Sequence, residues 1–261
     1  MTKNVQYHAD IMPLVRVMHR LRDPDIGCAW DVAQDFASIA PYTIEEAYEV
    51  ADAIERGDIA GLRDELGDLL LQVAFHARIA EQAGHFTLQQ VIDGIAEKMI
   101  RRHPHIFEAQ SKEAGGHDHW ETIKAAERAG KSRDDSALAD VALALPALLR
   151  AEKLQKRAAR TGFDWPDLTG VNAKIAEELD EVAAAGTHAE REEEIGDLLF
   201  SVVNLARHLK IDPEVALRKA NTKFETRFRH MEGAVGPAFA ALSLEEKEDL
   251  WRDAKAGLKQ G

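Results

Sequence analysis

The pattern Glu-Glu-x-x-Glu followed by Glu-x-x-Asp occurs twice in this chain: as "EEAYE" at 45–49 with "ELGDLL" at 65–70, and as "EELDE" at 177–181 with "EIGDLL" at 194–199. Two more pairs follow in the same order. Lys98 and Arg102 match Lys223 and Arg227, and Trp120 and Lys124 match Trp251 and Lys255. Seen once, an acidic run such as "REEEIGDLLF" at 191–200 reads as a solvated helix face. Repeated in order with its neighbours, it reads as a tandem duplication with one copy in each of two domains.

The spacing also selects the fold. Apolar residues recur at three and four, Ala, Leu, Glu, Arg and Lys dominate, and β-branched alternation is scarce, so the chain is expected to be all-α. The periodicity predicts helices at 43–56, 62–83, 88–101, 137–160, 170–185, 189–209, 213–233 and 243–257. Breaks such as "ERGD", "QAGHF" and "RTGFDWPDLTG" separate them. The polar stretch "AGKSRDDS", 129–136, is the expected boundary between a first domain at 1–128 and a second at 137–261.

On a helix, residues three apart share a face, so Glu178 projects with Glu181, and Glu194 with Asp197. Each pair lies beside an apolar stripe: Ile175, Leu179 and Val182 on one helix, and Ile195, Leu198, Val202 and Leu205 on the other. Packed as an antiparallel hairpin, the two helices would converge four carboxylates. Crowded like charges raise carboxylate pKa, a cost that a hard divalent cation relieves. Oxygen ligands suit Mg²⁺, which often shares its coordination with substrate phosphates, and Mn²⁺ is a possible substitute. The first copy offers the equivalent set Glu46, Glu49, Glu65 and Asp68. Gly67 and Gly196, each just before the aspartate, carry a helix penalty of about 1 kcal/mol relative to Ala, which close helix approach would explain.

Other metal chemistries fit less well. A di-iron bundle needs Glu-x-x-His, and no glutamate here has histidine three residues later. His103, His105, His117 and His119 cluster without the cysteine pairs and spacing of a zinc site and are read as local structural or surface residues. With 33 Lys+Arg against 46 Asp+Glu and a formal net charge of −13, broad nucleic-acid binding is not expected. The single cysteine, Cys28, the lack of a long apolar N-terminal stretch and the absence of any run long enough for a membrane span lead to a soluble, cytoplasmic protein as the expectation. A homodimer is expected because isolated two-helix hairpins expose too much apolar stripe.

Together with "CAWD" at 28–31, "RRHPHIFE" at 101–108 and "GFDW" at 162–165, the duplicated motifs closely resemble the bacterial MazG nucleoside triphosphate pyrophosphohydrolases over nearly the full chain. The resemblance implies tandem all-α bundles that dimerise, and Mg²⁺-dependent hydrolysis of nucleoside triphosphates, ATP included, to the monophosphate and pyrophosphate. It implies a role in nucleotide-pool housekeeping or stress-linked control. It also implies that Glu178, Glu181, Glu194 and Asp197 are the magnesium ligands and catalytic carboxylates. Lys174, Lys223 and Arg227 would face the triphosphate and Trp251 would contact the nucleotide, with Lys255 one turn later; Glu177 and Glu193 would contact nucleotide or orient water. Where the family places Lys before the second acidic motif, this chain has Glu190, with Arg191 beside it as a basic group for phosphate.

Several of these side chains have a second reading. Trp251 either stacks on a base or anchors its helix, and Lys223 with Arg227 either grips phosphate or forms a solvated face. Phe163 and Trp165 are read as packing residues in preference to base contacts. Asn204, seven residues after Asp197, either hydrogen-bonds a sugar or base or is a polar core contact. The two copies also differ: Tyr42 stands where the second has Lys174, and Phe75 where it has Asn204. The second copy is therefore expected to dominate hydrolysis and the first to be weaker, regulatory or a dimerisation unit. The rival to an enzyme is a catalytically silent helical module that binds nucleotide or protein.

Overall fold

The computed structural model describes residues 10–107, 134 and 136–257, and the chain divides into two compact units, residues 1–126 and 127–261. Trp120, Lys124, His117, His119 and almost all of the expected boundary at 129–136 lie outside the described residues. Every regular element within them is helical, so the chain is all-α. No described helix is long and apolar enough to cross a membrane.

In the first unit, α1 (Met12–Leu21), α2 (Ala29–Ala33), α3 (Phe36–Arg56), α4 (Ile59–Gln82), α5 (Leu88–Arg102) and α6 (Pro104–Phe107) follow in order. Helix α3 starts at a capping box in which Asp35 accepts from the Ser38 amide and Ser38 accepts from the Asp35 amide. It stops at Gly57, whose φ of 67° suits a residue without Cβ. Asp58 then caps α4 by accepting from Gly61 N. The chain turns back within two residues, and α3 and α4 pack as an antiparallel hairpin. Helix α1 closes one side of it, enclosing a core of Met18, Ile39, Ala74, Phe75 and Ile79.

The second unit contains α7 (Ala147–Ala159), α8 (Leu168–Ala184), α9 (His188–His208), α10 (Pro213–Val235), a 3₁₀ turn at 236–241 and α11 (Leu244–Gly257). Helices α8 and α9 form the equivalent hairpin, α7 packs on α9, and α10 carries α11. A capping box of Thr187 and Glu190 starts α9, and Asp212 with Pro213 starts α10. The buried residues here include Val171, Val203, Met231 and Ala254, but also Glu152, Gln155, Glu178, Ser201 and Asn204.

The structure corrects several sequence-based boundaries. The expected helix at 137–160 forms only from Ala147: Pro146 has no N–H to continue a helix and disfavours helical backbone at Leu145, while Asp140 adopts a positive φ. Helix α3 begins at Phe36, seven residues before its predicted start, because the Asp35 cap lies ahead of Pro41. Helix α1 was not expected at all; it is short and has Pro13 in its first turn.

The expected stripes are also rotated. Ile175, Val182, Leu198 and Leu205 are half-buried, whereas Leu179, Ile195 and Val202 are exposed and the carboxylate of Glu178 is buried. In α9 the exposed set Ile195, Leu199 and Val202 repeats the exposed set Leu66, Leu70 and Val73 of α4. A Cβ added at Gly67 or Gly196 would meet nothing within 4 Å, so neither glycine serves a close helix approach inside its own unit.

Candidate active site

The hairpin register brings one carboxylate oxygen each from Glu178, Glu181 and Glu194 within 4.8 Å of one another. Asp197 falls outside that set. It lies one turn beyond Glu194, lines the adjoining cavity with Glu178, and its charge adds to the field on Glu194. Burial, then the charges of Glu181 and Glu178, hold the Glu194 carboxyl above the ordinary range. Burial raises Glu181 as well, against the lowering effect of Lys174.

Glu178 is 2% exposed, and one of its oxygens meets Lys174 Nζ at 2.7 Å. Its Oε2 is buried and meets no hydrogen-bond donor among the described residues. An ionised oxygen left in that state costs free energy, and a cation shared with Glu181 and Glu194 would satisfy it. The donor set is all oxygen, and a hard cation about 2.1 Å from each ligand would hold such oxygens within roughly 4.2 Å of one another. The residues present therefore fit a divalent metal. Lys174 also meets Glu177 Oε1 at 2.7 Å. The hydrogen bonds it donates, to Glu177 first and Glu178 second, raise its pKa, so it stays charged.

Beside the carboxylates opens a cavity of about 730 Å³, reached by Lys174, Glu178, Asp197, Ser201 and Asn204. Its apolar wall comes from Leu138, Leu154, Ala158, Phe163, Trp165 and Phe200. Phe163 is 82% exposed, so the packing reading of that side chain is wrong: a loop held by Asp164 presents it at the cavity. Trp165 both packs and lines, for its ring lies where a Cβ on Gly170 would come within 2.1 Å of Cδ1. The glycine is what lets the indole lie on the first turn of α8.

On α10 and α11, Trp251 packs against Phe224 with ring centroids 5.4 Å apart, and the Arg227 guanidinium lies 5.5 Å from the indole centroid. Lys223 and Lys255 are exposed on the same two helices. Glu193 is exposed and adds to the charge on Glu194. Arg191 Nε donates to Ala185 O at 3.2 Å, and Glu190 Oε2 accepts from the amides of Gly186 and Thr187 at 2.8 and 2.9 Å. Both side chains thus serve the hairpin turn, which gives Glu190 a capping role where the resemblance led one to expect lysine.

Sequence reasoning missed Gln155, Asp164 and Arg207. Arg207 grips Asp164 through both guanidinium arms, one of them at 2.9 Å, and also donates to Asn204 Oδ1. Only "GFDW" hinted at this, through a motif read for its aromatics.

The first unit repeats the acid framework: oxygens of Glu46, Glu49 and Glu65 lie within 4.8 Å of one another. Burial, then Asp68, raises Glu46; burial, then Glu49, raises Glu65. Gln72 Nε2 donates to Glu46 Oε1 at 3.3 Å. Tyr42, in the place of Lys174, packs edge-on against Trp30, and Phe75, in the place of Asn204, is buried in the core. His103 Nδ1 donates a hydrogen bond to Met99 O, 2.7 Å away, in keeping with a local structural role.

The MazG nucleotide pyrophosphohydrolase domain matches this chain over residues 34–107 and 168–232. The chain belongs to the MazG family. It is 50% identical over 252 residues to the nucleoside triphosphate pyrophosphohydrolase of Escherichia coli (strain K12), covering 93% of this chain and 95% of that one. It is 46% identical over 247 residues to the nucleoside triphosphate pyrophosphohydrolase/pyrophosphatase MazG of Thermotoga maritima, covering 94% and 95%. It is also 44% identical over 249 residues to the uncharacterized protein YabN of Bacillus subtilis, covering 92% of this chain and 50% of that protein. MazG-family pyrophosphohydrolases are generally metal-dependent. Each matched MazG segment contains one acid framework, while Gln155, Asp164, Trp251 and Lys255 lie outside both.

Proposed function

We propose that this MazG-family enzyme hydrolyses nucleoside triphosphates, ATP among them, to the monophosphate and pyrophosphate, and that the second unit carries the main site. The observation that carries the reading is the meeting of Glu178, Glu181 and Glu194 beside the 730 Å³ cavity that Glu178 and Asp197 line. Glu178, Glu181, Glu194 and Asp197 would hold Mg²⁺, with Mn²⁺ as a substitute. A divalent cation there supplies neutralisation of phosphate charge and a more acidic water at neutral pH.

The chain's own residues do the rest. Lys174 keeps its charge and lies close enough to leave the glutamates for a phosphate oxygen. Glu177 and Glu193 orient water or nucleotide from the rim. Lys223, Arg227 and Lys255 give α10 and α11 a basic surface suited to phosphate, with Trp251 between them as a further nucleotide contact. The apolar wall of the cavity excludes bulk water from the nucleoside end, which strengthens charge interactions at the phosphate end.

A homodimer is part of the same proposal. Leu66, Leu70 and Val73 in one unit, and Ile195, Leu199 and Val202 in the other, leave an apolar stripe open along a hairpin that already holds charged groups. A second copy is the simplest cover. Sedimentation of the intact protein as a monomer at micromolar concentration would remove this part.

The test of the activity is product analysis. Incubation with ATP and Mg²⁺ should release pyrophosphate in preference to orthophosphate, and omission of the metal should stop release. No turnover of ATP, GTP, CTP, UTP or dUTP would favour a silent binding module.

A further inference from the structure

Two amide side chains at the cavity are locked in opposite senses. Asn204 is only 6% exposed, and its Oδ1 accepts from Arg207 Nε at 3.0 Å and Arg207 Nη2 at 2.7 Å. A guanidinium has donors and no acceptor, so the amide oxygen must face it and the NH₂ must turn away. Arg207 cannot readily rotate to release it, because Asp164 takes both guanidinium arms and also meets His208 Nε2 at 3.0 Å. Nothing among the described residues accepts from Asn204 Nδ2.

Gln155 is fixed the other way. Its Nε2 donates to Phe200 O at 2.8 Å, and its Oε1 is buried without a partner among the described residues. Both residues line the same cavity. One buried amide therefore offers it a donor and the other an acceptor, within walls that are otherwise largely apolar and aromatic. Unmet polar groups of this kind are costly, and a ligand that satisfies both recovers the cost.

We propose that Asn204 and Gln155 read the hydrogen-bonding edge of a nucleobase, and that Arg207 and Asp164 are positioning residues that set the sense of Asn204. Asn204 Nδ2 donates to a ring nitrogen or carbonyl oxygen of the base, and Gln155 Oε1 accepts from its N–H. The apolar and aromatic wall suits a heterocycle better than a sugar. The inference rests on the proposed triphosphate hydrolysis and adds to it the part of the substrate that the cavity recognises.

The experiment compares kcat/KM for ATP, GTP, CTP and UTP with that for ribose 5-triphosphate, which carries the same phosphates and no base. Asn204→Asp keeps the volume and leaves oxygen for Arg207 while removing the donor; Gln155→Leu removes the acceptor. For each variant the ratio of the best nucleotide to ribose 5-triphosphate should fall roughly tenfold, the effect of one lost hydrogen bond, carried by KM more than kcat. Arg207→Lys keeps the ion pair with Asp164 but not the two-armed grip, and should lower the ratio by a smaller factor. An active wild type whose ratio is unchanged in both Asn204→Asp and Gln155→Leu overturns this inference alone. A wild type that turns over no triphosphate removes the activity and the inference together.

Discussion

The two units carry the same acid framework on the same hairpin and differ in what stands behind it. In the first, Phe75 fills the place of Asn204 and joins Met18, Ile39, Ala74 and Ile79 in a continuous apolar core. In the second, Glu178, Ser201, Asn204, Gln155 and Glu152 are buried beside only a few apolar residues, and a cavity of about 730 Å³ opens at the carboxylates. The comparison separates two properties that a motif search merges. Acids at helical spacing are enough to bring three carboxylates together in each unit, but a place for the rest of a substrate depends on side chains outside the motif.

The largest effect should come from disturbing the core of the first unit. Phe75→Ala is expected to cost about 3–5 kcal/mol in urea unfolding of the intact chain, as for other buried phenylalanines. Asn204→Ala should cost less, since it removes one hydrogen-bonded amide at a cavity edge. Equal losses would mean that the two units are packed alike, against the contrast drawn above.

Next comes the division of labour between the acid corners. Glu178→Gln should reduce pyrophosphate release at least about 100-fold, close to 2.7 kcal/mol of transition-state stabilisation. Glu46→Gln should leave most of the activity in place. Comparable losses from both variants would make the corners catalytic equals.

A smaller effect concerns protons. Burial first, then neighbouring acids, raises Glu194 in the second unit, and burial raises Glu46 and Glu65 in the first. In the window between the ordinary carboxylate range and these raised values the folded state holds more protons than the unfolded state, so stability falls as pH rises through it. Asp164 runs the other way: the Arg207 hydrogen bond, then that of His208, lowers it, and its contribution is lost as pH falls through the lowered value. Mg²⁺ should therefore raise the unfolding temperature more at about pH 7.5 than at about pH 5, where protons compete for the same oxygens. Glu194→Gln should shrink that difference and Glu65→Gln should do so independently; a Mg²⁺ shift indifferent to both would count against metal at either corner.

The hairpins and their acid corners were legible in sequence because they depend on local rules: three-residue spacing on a helix, and a second copy to compare. Less legible was which face would be buried. Leu179 and Ile195 were assigned to the seam by hydropathy, yet they are exposed and Glu178 is buried, because three packed helices and a charged partner at Lys174 decide the rotation. Gln155 and Asp164 carried no pattern, since they meet Phe200 and Arg207 across 45 and 43 residues of chain. The span 137–146 misled for the opposite reason: its composition is helical, and only Pro146 argues against it.

The smallest expected effect tests the turn of the second hairpin. Glu190→Lys removes the acceptor for the amides of Gly186 and Thr187 and should cost about 1 kcal/mol, typical of a lost cap. A neutral or stabilising outcome would mean that water accepts from the two amides equally well.

That turn also fixes the phase of α9. Thr187 sets where the helix begins, and Glu194 and Asp197 follow at fixed offsets of seven and ten residues. Each residue added to a helix advances it by about 100° and 1.5 Å. One residue inserted between Thr187 and Glu194 would thus swing both acids off the corner, while one inserted ahead of Thr187 would lengthen only the link and leave their bearing unchanged. The hairpin works as an indexed shaft: its loop can absorb a change of length, and its first two turns cannot.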